Sequence, residues 1–334
     1  MRSVRSTTAI LSLSLLMAGC RSHCPKIGPV GVQKPPPANP ITTPYTSPSP
    51  QLGVSILDIE LFDAARDRRV PVRAYVPATG DDLAVILFSH GLGSSRSGYQ
   101  YLGKAWAAQG SIVVFVEHIG TAAGLPLLEL YRASRDREVW MNRPLDISFV
   151  MDMLERKEPA LKAVWERADL TRIGAAGHSF GAQTVLNAAG VLTDYRGGPK
   201  NYGTVDERID ALVALSVPAM PASPTPASFK AVKVPVLHMT GTADESPAFE
   251  TELCHKRVPF DWIWGPPQYF VNMEGAVHRS FAGEAEADGP EIEHYHRLIV
   301  ELTSAFWDAT LRDDARARDW IDRVVIPRAT VERK

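Results

Sequence analysis

At 334 residues the chain is long enough for one large domain or two small ones. Its 45% hydrophobic content is typical of a globular protein, and a formal net charge of −2, with the 36 basic residues dispersed, argues against a nucleic-acid partner. Three cysteines without a C-x-x-C pair argue against a zinc site.

The first twenty residues have the layout of a secretion signal. Arg2 and Arg5 precede an apolar stretch, residues 9–18, that is too short to span a bilayer comfortably. Its end, "LMAGC", resembles a bacterial lipobox, which implies a signal peptide over residues 1–19 and a lipid on the Cys20 thiol. The alternative is an ordinary signal peptide with an incidental cysteine. The lipobox version predicts an exported protein anchored in the membrane of the bacterial cell envelope, on the periplasmic or outer-membrane side.

Residues 20–52 are predicted to form a proline-rich tether. Nine prolines fall between residues 21 and 50, in runs such as "KPPPANP". Because proline fixes φ and removes a hydrogen-bond donor, such a segment is expected to be extended and solvated, and to hold a domain away from a membrane surface. The folded domain is then expected to span residues 53–334. Cys24, in the tether, and Cys254 are expected to be unpaired.

Strand-like and helix-like segments alternate along the rest of the chain. The segments "VSILDIEL" and "RVPVRAYVP" indicate an antiparallel strand pair. Apolar runs that indicate buried strands follow: "LAVILFSHG", "SIVVFVEH", "RIGAAGHS", "IDALVALSV", "VPVLHMTG" and "PQYFVNMEG". The predicted helices are "YQYLGKAWAAQG", "RPLDISFVMDMLER", "FGAQTVLNAAGVL" and the closing "EIEHYHRLIVELTSAFWDATL". This order predicts an α/β fold with a mostly parallel sheet and helices on both faces, whose functional residues gather at the carboxyl ends of the strands.

The segment "GAAGHSFGAQTVL" places Ser179 in a G-x-S-x-G pattern between a predicted strand and a predicted helix. A nucleophilic serine at the top of such a sheet stands on a sharp, strained turn that exposes its hydroxyl. Gly177 and Gly181 leave room where the strand and the helix nearly touch, and the helix N-terminus favours developing negative charge. The pattern predicts that Ser179 is a nucleophile.

A serine hydroxyl is a weak nucleophile, so it needs a base that is itself oriented by an acid. Asp244 follows the predicted strand "VPVLHMTG", and His278 follows "PQYFVNMEG". Both are therefore expected at the same edge of the sheet as Ser179, in the chain order serine, acid, histidine. Glu245 is the nearest rival for the acid.

The loop "SHGLGSS" follows another predicted strand end. Acyl transfer creates an oxyanion, which two backbone N–H groups can hold. We expect these groups on Leu92, in this loop, and on Phe180, directly after the nucleophile. His90 and His178 are expected to brace the two segments rather than to react.

These motifs resemble the α/β-hydrolase fold over roughly residues 53–312. More narrowly, "FSHGLG", "GHSFG" and "GAVHRSF" resemble the platelet-activating-factor acetylhydrolase and dienelactone-hydrolase-like branch of that fold. The resemblance implies a serine ester hydrolase that uses neither metal nor organic cofactor, with its nucleophile at Ser179, its base at His278, and oxyanion donors at Leu92 and Phe180.

One position departs from the plasma acetylhydrolase type, in which the acid follows the strand after the nucleophile. This chain has Ser216 there and no carboxylate. Asp244 instead occupies the position used by dienelactone hydrolases and by cutinase-like polyester hydrolases. The departure supports a general ester hydrolase and leaves phospholipid and polyester substrates as alternatives.

Three insertions are predicted to form the walls of the substrate pocket: residues 119–143, the proline-rich residues 217–230 and "VPFDWIWGPPQ". The first contributes Tyr131 and Trp140 and the third Trp262 and Trp264, although each of these residues could equally pack over the sheet. Nothing in these insertions resembles a long lipase lid, so esters of short to moderate acyl length are expected.

Two further hypotheses differ in class. The same triad could act on a thioester or peptide, although the chain shows no accessory domain that would select peptides. A non-catalytic binding module on the same fold would be expected to have lost the nucleophile or the base, and this chain has both.

Overall fold

The computed structural model describes residues 31–49, 51–120, 123–194, 201–218, 224–245, 253–283 and 290–334. The predicted signal peptide, the lipidation site Cys20 and Cys24 lie outside these residues. Within the described part of the chain, nine strands form one sheet in the order β1-β2-β4-β3-β5-β6-β7-β8-β9. The strands are β1 (Val54–Asp63), β2 (Arg68–Pro77), β3 (Leu83–Ser89), β4 (Ile112–Val116), β5 (Ala168–His178), β6 (Ile209–Leu215), β7 (Val236–Ala243), β8 (Gln268–Val277) and β9 (Ala329–Arg333).

Helices connect most of these strands. In chain order they are α1 (Gln100–Ala108), α2 (Leu127–Ala133), α3 (Arg137–Glu155), α4 (Lys162–Trp165), α5 (Phe180–Ala188), α6 (Leu253–Trp262), α7 (Pro290–Leu311) and α8 (Ala315–Arg323). Short 3₁₀ turns lie at Pro159–Leu161, Pro226–Phe229 and His278–Phe281. None of the helices in the described part of the chain combines the length and the apolar character that a bilayer crossing needs.

The inner six strands, from β4 to β8, pair in parallel. The outer pairs β1–β2, β2–β4 and β8–β9 are antiparallel. The expected α/β class, the mostly parallel sheet and the antiparallel N-terminal pair are thus confirmed, and the architecture is that of an α/β hydrolase.

Helices cover both faces of the sheet, because successive side chains of a buried strand point to opposite sides. Ile86 and Phe88 of β3 pack in one core with α1, α7 and α8. Val85 and Leu87 of the same strand pack in a second core with α3, α5 and α6. Burial on both faces explains why the inner strands are almost continuously apolar.

The segment before β1 corrects the expected tether. Residues 34–47 lie against the domain: Ile41 forms a bridge with Val324, Trp320 Nε1 donates to the Thr43 carbonyl at 2.9 Å, and the Tyr45 hydroxyl donates to Asp308 Oδ2 at 2.7 Å. Proline favours an extended backbone, but an extended backbone can dock on a protein as well as project into solvent. The folded unit therefore begins well before residue 53.

Cys254, near the start of α6, is disulfide-bonded. The expectation that it is unpaired is wrong. The two other cysteines of the chain, Cys20 and Cys24, lie outside the described residues.

Candidate active site

Ser179 lies on a strained turn between β5 and α5. Its φ of 54° and ψ of −120° are rarely adopted by residues other than glycine. A Cβ on Gly177 would lie 2.3 Å from the backbone of Gly181, and a Cβ on Gly181 would lie 1.8 Å from the Ser89 carbonyl oxygen. Both positions therefore require glycine, because the strand, the helix and the end of β3 meet there without space for a side chain.

His278 and Asp244 lie beside this turn. His278 Nε2 is 3.0 Å from Ser179 Oγ, and His278 Nδ1 is 3.0 Å from Asp244 Oδ1. The adjacent parallel strands β7 and β8 end at Ala243 and Val277, which brings the residues that follow them to one edge of the sheet. The structure thus brings together the three side chains that the sequence motifs predict.

Asp244 is fully buried and held by several donors. Its Oδ2 accepts a hydrogen bond from Thr240 Oγ1 at 2.8 Å, and its Oδ1 accepts one from Ser216 Oγ at 2.8 Å. Burial alone would raise the pKa of Asp244, but the hydrogen bond to His278 and the charge of Lys256 hold it well below its ordinary value. The carboxylate is therefore ionised at neutral pH. Glu245, the rival acid, is exposed.

Sequence reasoning missed two residues that contact Asp244. Lys256 Nζ is 3.1 Å from Asp244 Oδ1, and Ser216 Oγ is also 2.7 Å from His278 Nδ1. Ser216 was visible as the residue at the alternative acid position, but no sequence signal marked Lys256, which stands in the charged run "HKR".

Leu92 and Phe180, the expected oxyanion donors, lie on adjoining segments. Both belong to a small apolar cluster with Trp140, whose ring centroid is 4.4 Å from that of Phe180. The close approach of Gly181 to Ser89 brings the start of α5 against the end of β3, from which the Leu92 loop leaves. The two backbone segments are thereby fixed beside Ser179.

A buried guanidinium links the same two segments. Arg143 of α3 donates to the His90 carbonyl, to Ser89 Oγ at 3.1 Å and, through Nε, to Thr184 Oγ1 at 2.9 Å. Its guanidinium also stacks 4.3 Å from the centroid of the Phe180 ring. Burial lowers the pKa of Arg143 to about 9, so the group stays charged at neutral pH.

Histidines brace both segments, as expected. His90 Nδ1 donates to the Gly91 carbonyl at 2.7 Å. Its Nε2 therefore accepts a hydrogen bond, which comes from the backbone N–H of His118 at 3.1 Å. His178 Nε2 bonds to the His278 carbonyl at 3.2 Å, and its Nδ1 accepts from the Tyr99 hydroxyl at 2.8 Å. These contacts join the Leu92 loop, the turn at Ser179 and His278.

The four predicted pocket residues separate into two pairs. Trp140 lies in the cluster with Phe180, and Tyr131 lies exposed on α2, whose Leu130 approaches Gly93 in the oxyanion loop. Both residues thus belong to elements that pack against the segments of Leu92 and Phe180.

Trp262 and Trp264 lie away from these segments, which corrects the expectation that they line the substrate pocket. Trp262 is the last residue of α6 and packs edge-on against Phe229 in the second core. Trp264 is exposed and lies near Gly31. Both residues precede the amino end of β8, whereas His278 follows its carboxyl end, so they lie toward the opposite edge of the sheet.

Within the described residues, no three His, Cys, Asp or Glu side chains are grouped so that they could hold a metal ion. The groups that surround Ser179 are a histidine that is paired with a carboxylate, and backbone segments. This arrangement can activate a hydroxyl for attack on a carbonyl carbon and hold the charge that forms on its oxygen.

One comparison with known proteins bears on this site. The family model described as platelet-activating factor acetylhydrolase, isoform II, matches residues 63–142. This range includes β2, β3, the Leu92 loop, β4 and Trp140, and ends before Ser179, Asp244 and His278. The resemblance inferred from the motifs is thereby confirmed over this part of the chain.

Proposed function

We propose that the chain is a serine carboxylic ester hydrolase that works through an acyl-enzyme, with Ser179 as nucleophile, His278 as base and Asp244 as acid. The observation that carries the proposal is the unbroken line of hydrogen bonds from Ser179 Oγ through the imidazole to Asp244, at 3.0 Å in both steps. A strained nucleophile, a base within hydrogen-bond reach and a third group that orients the base are the geometric signature of covalent catalysis.

In this mechanism the Ser179 hydroxyl attacks the ester carbonyl carbon while His278 Nε2 takes its proton. The oxyanion that forms is held by the backbone N–H groups of Leu92 and Phe180. The tetrahedral intermediate collapses, the imidazolium gives its proton to the departing alcohol, and the acyl group stays on Ser179. Water then attacks the acyl-enzyme with His278 again as base, and the carboxylic acid leaves. Asp244 holds Nδ1–H throughout and stabilises the imidazolium.

The experiment that tests this proposal compares wild-type protein with Ser179→Ala. We expect turnover of p-nitrophenyl acetate to fall by a factor of about 10⁴ or more, and labelling by a fluorophosphonate probe to vanish. Ser55→Ala, which changes an exposed serine on β1, should keep both signals. Retained turnover in a folded Ser179→Ala protein would remove the proposal, and labelling of the wild type excludes a non-catalytic binding module.

For the substrate we propose esters of short to moderate acyl length. Phe180, the residue after the nucleophile, packs with Trp140 in a compact buried cluster, which suits a small acyl group better than a long one. The family match favours a phospholipid acetylhydrolase as the second candidate. A panel of p-nitrophenyl esters from acetate to palmitate, together with an acetylated phospholipid, a polyester, a thioester and an amide, ranks these possibilities. A preference for palmitate would contradict the proposed acyl length.

A further inference from the structure

Lys256 is a charged side chain held inside the protein next to the acid of the proposed triad. Only 2% of the residue is exposed, and its Nζ lies 3.1 Å from Asp244 Oδ1 and 2.9 Å from Ser216 Oγ. Lysine is almost never fully buried unless it is paired, because its ammonium loses its hydration. Burial lowers the pKa of Lys256, and the carboxylate of Asp244 opposes that shift. The acyl-enzyme steps described above make no use of this cation.

Ser216 connects Lys256 to the base. Its Oγ lies 2.8 Å from Asp244 Oδ1 and 2.7 Å from His278 Nδ1, in addition to the contact with Lys256. A hydroxyl has one proton and two lone pairs. All three contacts are satisfied when Ser216 donates to the carboxylate and accepts from the ammonium and from Nδ1–H. The imidazole therefore has two acceptors on its Nδ1 side, a carboxylate and a hydroxyl.

We infer that Lys256 and Ser216 are positioning residues of the proposed hydrolase: Ser216 orients the imidazole together with Asp244, and Lys256 offsets part of the negative charge that His278 faces. The inference rests on the proposed function, since it assigns His278 the role of base. A carboxylate without a counter-charge favours the imidazolium form, which cannot accept the serine proton. Removal of the Lys256 charge is therefore expected to move the acid limb of the activity profile to higher pH.

The other titratable groups near His278 do not offset the charge of Asp244 as Lys256 does. His178 of β5 faces His278 with ring centroids 4.7 Å apart. Burial first, and then the charge of His278, hold the pKa of His178 well below its ordinary value, so it is neutral over the assay range. Glu245 and Arg279, the chain neighbours of the acid and the base, are exposed, so solvent screens their opposite charges.

The test is the pH profile of kcat/KM for p-nitrophenyl acetate in wild-type protein and in Lys256→Met, which keeps an unbranched side chain and removes the charge. We expect the midpoint of the acid limb to move to higher pH by about one unit in the variant. Arg257→Met is the matched control, because it removes a cation from the next position of α6. Arg257 pairs with Asp261 and Glu332 and not with the triad. The midpoint of the acid limb in Arg257→Met should therefore coincide with that of wild type.

A second variant keeps the inference testable if Lys256→Met does not fold. Ser216→Ala removes one acceptor of Nδ1–H, so we expect kcat to fall about tenfold with KM unchanged. A Lys256→Met profile that coincides with wild type, or a Ser216→Ala protein with wild-type kcat, overturns the inference.

Failure of the inference and failure of the proposed function are distinguishable by labelling. Wild-type protein that reacts with the fluorophosphonate probe at Ser179 but gives an unshifted Lys256→Met profile overturns the positioning role alone. Wild-type protein that does not react removes the proposed function, and the inference with it.

Discussion

Ser216 lies as close to the proposed base as the proposed acid does. Its Oγ is 2.7 Å from His278 Nδ1, and Asp244 Oδ1 is 3.0 Å from the same atom. Ser216 has a φ of 51°, in the left-handed region that Asp and Asn tolerate better than most residues. Lys256 Nζ contacts both side chains. A carboxylate could therefore hold the imidazole from either position.

We expect Ser216→Asp to restore part of the activity that Asp244→Ala removes. Loss of a triad acid lowers kcat by about 10⁴, because the imidazole loses its tautomer and its orientation. A carboxylate at position 216 would again accept Nδ1–H and pair with Lys256, so the double variant should exceed the single one by about tenfold or more in kcat. Asp244→Ala/Ser216→Asn, of similar size and without charge, is the control. Equal rates for the two double variants would contradict the prediction.

At the scale of elements, α3 supports the oxyanion segments from behind. Arg143 reaches from this helix to the end of β3 and to Thr184 of α5. The Thr184 hydroxyl, which accepts from Arg143, also donates to the Phe180 carbonyl at 2.8 Å and so connects Arg143 to the residue after Ser179. The network thus connects α3, the end of β3 and α5. In the proposed mechanism the N–H groups of Leu92 and Phe180 meet the developing negative charge, so their alignment would depend on this network.

Thr184→Val tests this role, since valine keeps the shape and removes the hydroxyl. We expect kcat for p-nitrophenyl acetate to fall about tenfold with KM little changed, because a displaced oxyanion donor weakens transition-state stabilisation. Thr310→Val is the matched control: Thr310 makes the same hydrogen bond to a carbonyl four residues back, Phe306, on α7. A Thr184→Val enzyme with the kcat of Thr310→Val would show that the network does not act on catalysis.

Elements with a clear apolar pattern could be predicted from the sequence, and elements without such a pattern could not. The strands β3 to β8 are apolar runs because both faces are covered, and Ser179, Asp244 and His278 follow from their ends. In contrast, β9 is the short edge segment "ATVER", and α6 contains Pro259 and a run of charged residues. Lys256 looks like a surface residue in that run. Lys256 can be buried because it pairs with Asp244, and only the folded structure brings these two residues together.

At the scale of the whole molecule, the N-terminal segment is part of the domain. Tyr45 and Ser47 both donate to Asp308 Oδ2 at 2.7 Å, and the Tyr45 backbone N–H donates to Glu301 Oε1 at 2.9 Å. These partners lie more than 250 residues away in the chain. Composition marks the segment as proline-rich and extended, but it cannot reveal a docking site formed by α7 and α8. The predicted N-terminal membrane anchor would therefore be followed by a segment that is docked on the domain.

We expect Tyr45→Ala to lower the free energy of unfolding by about 2 kcal/mol and to leave kcat unchanged. The variant loses the hydrogen bond to Asp308, which is buried, and the ring contact with Trp320, whose centroid is 5.3 Å away. A hydrogen bond to a charged group contributes about 1.5–3 kcal/mol, and an aromatic pair about 0.5–1.5 kcal/mol; water that reaches the opened site would recover part of this. Urea unfolding of the full chain measures the difference. Tyr131→Ala, which removes an exposed tyrosine, should change stability by no more than about 0.5 kcal/mol. If the two variants were equally stable, the N-terminal segment would be a spacer after all, because its contacts would contribute nothing to the fold.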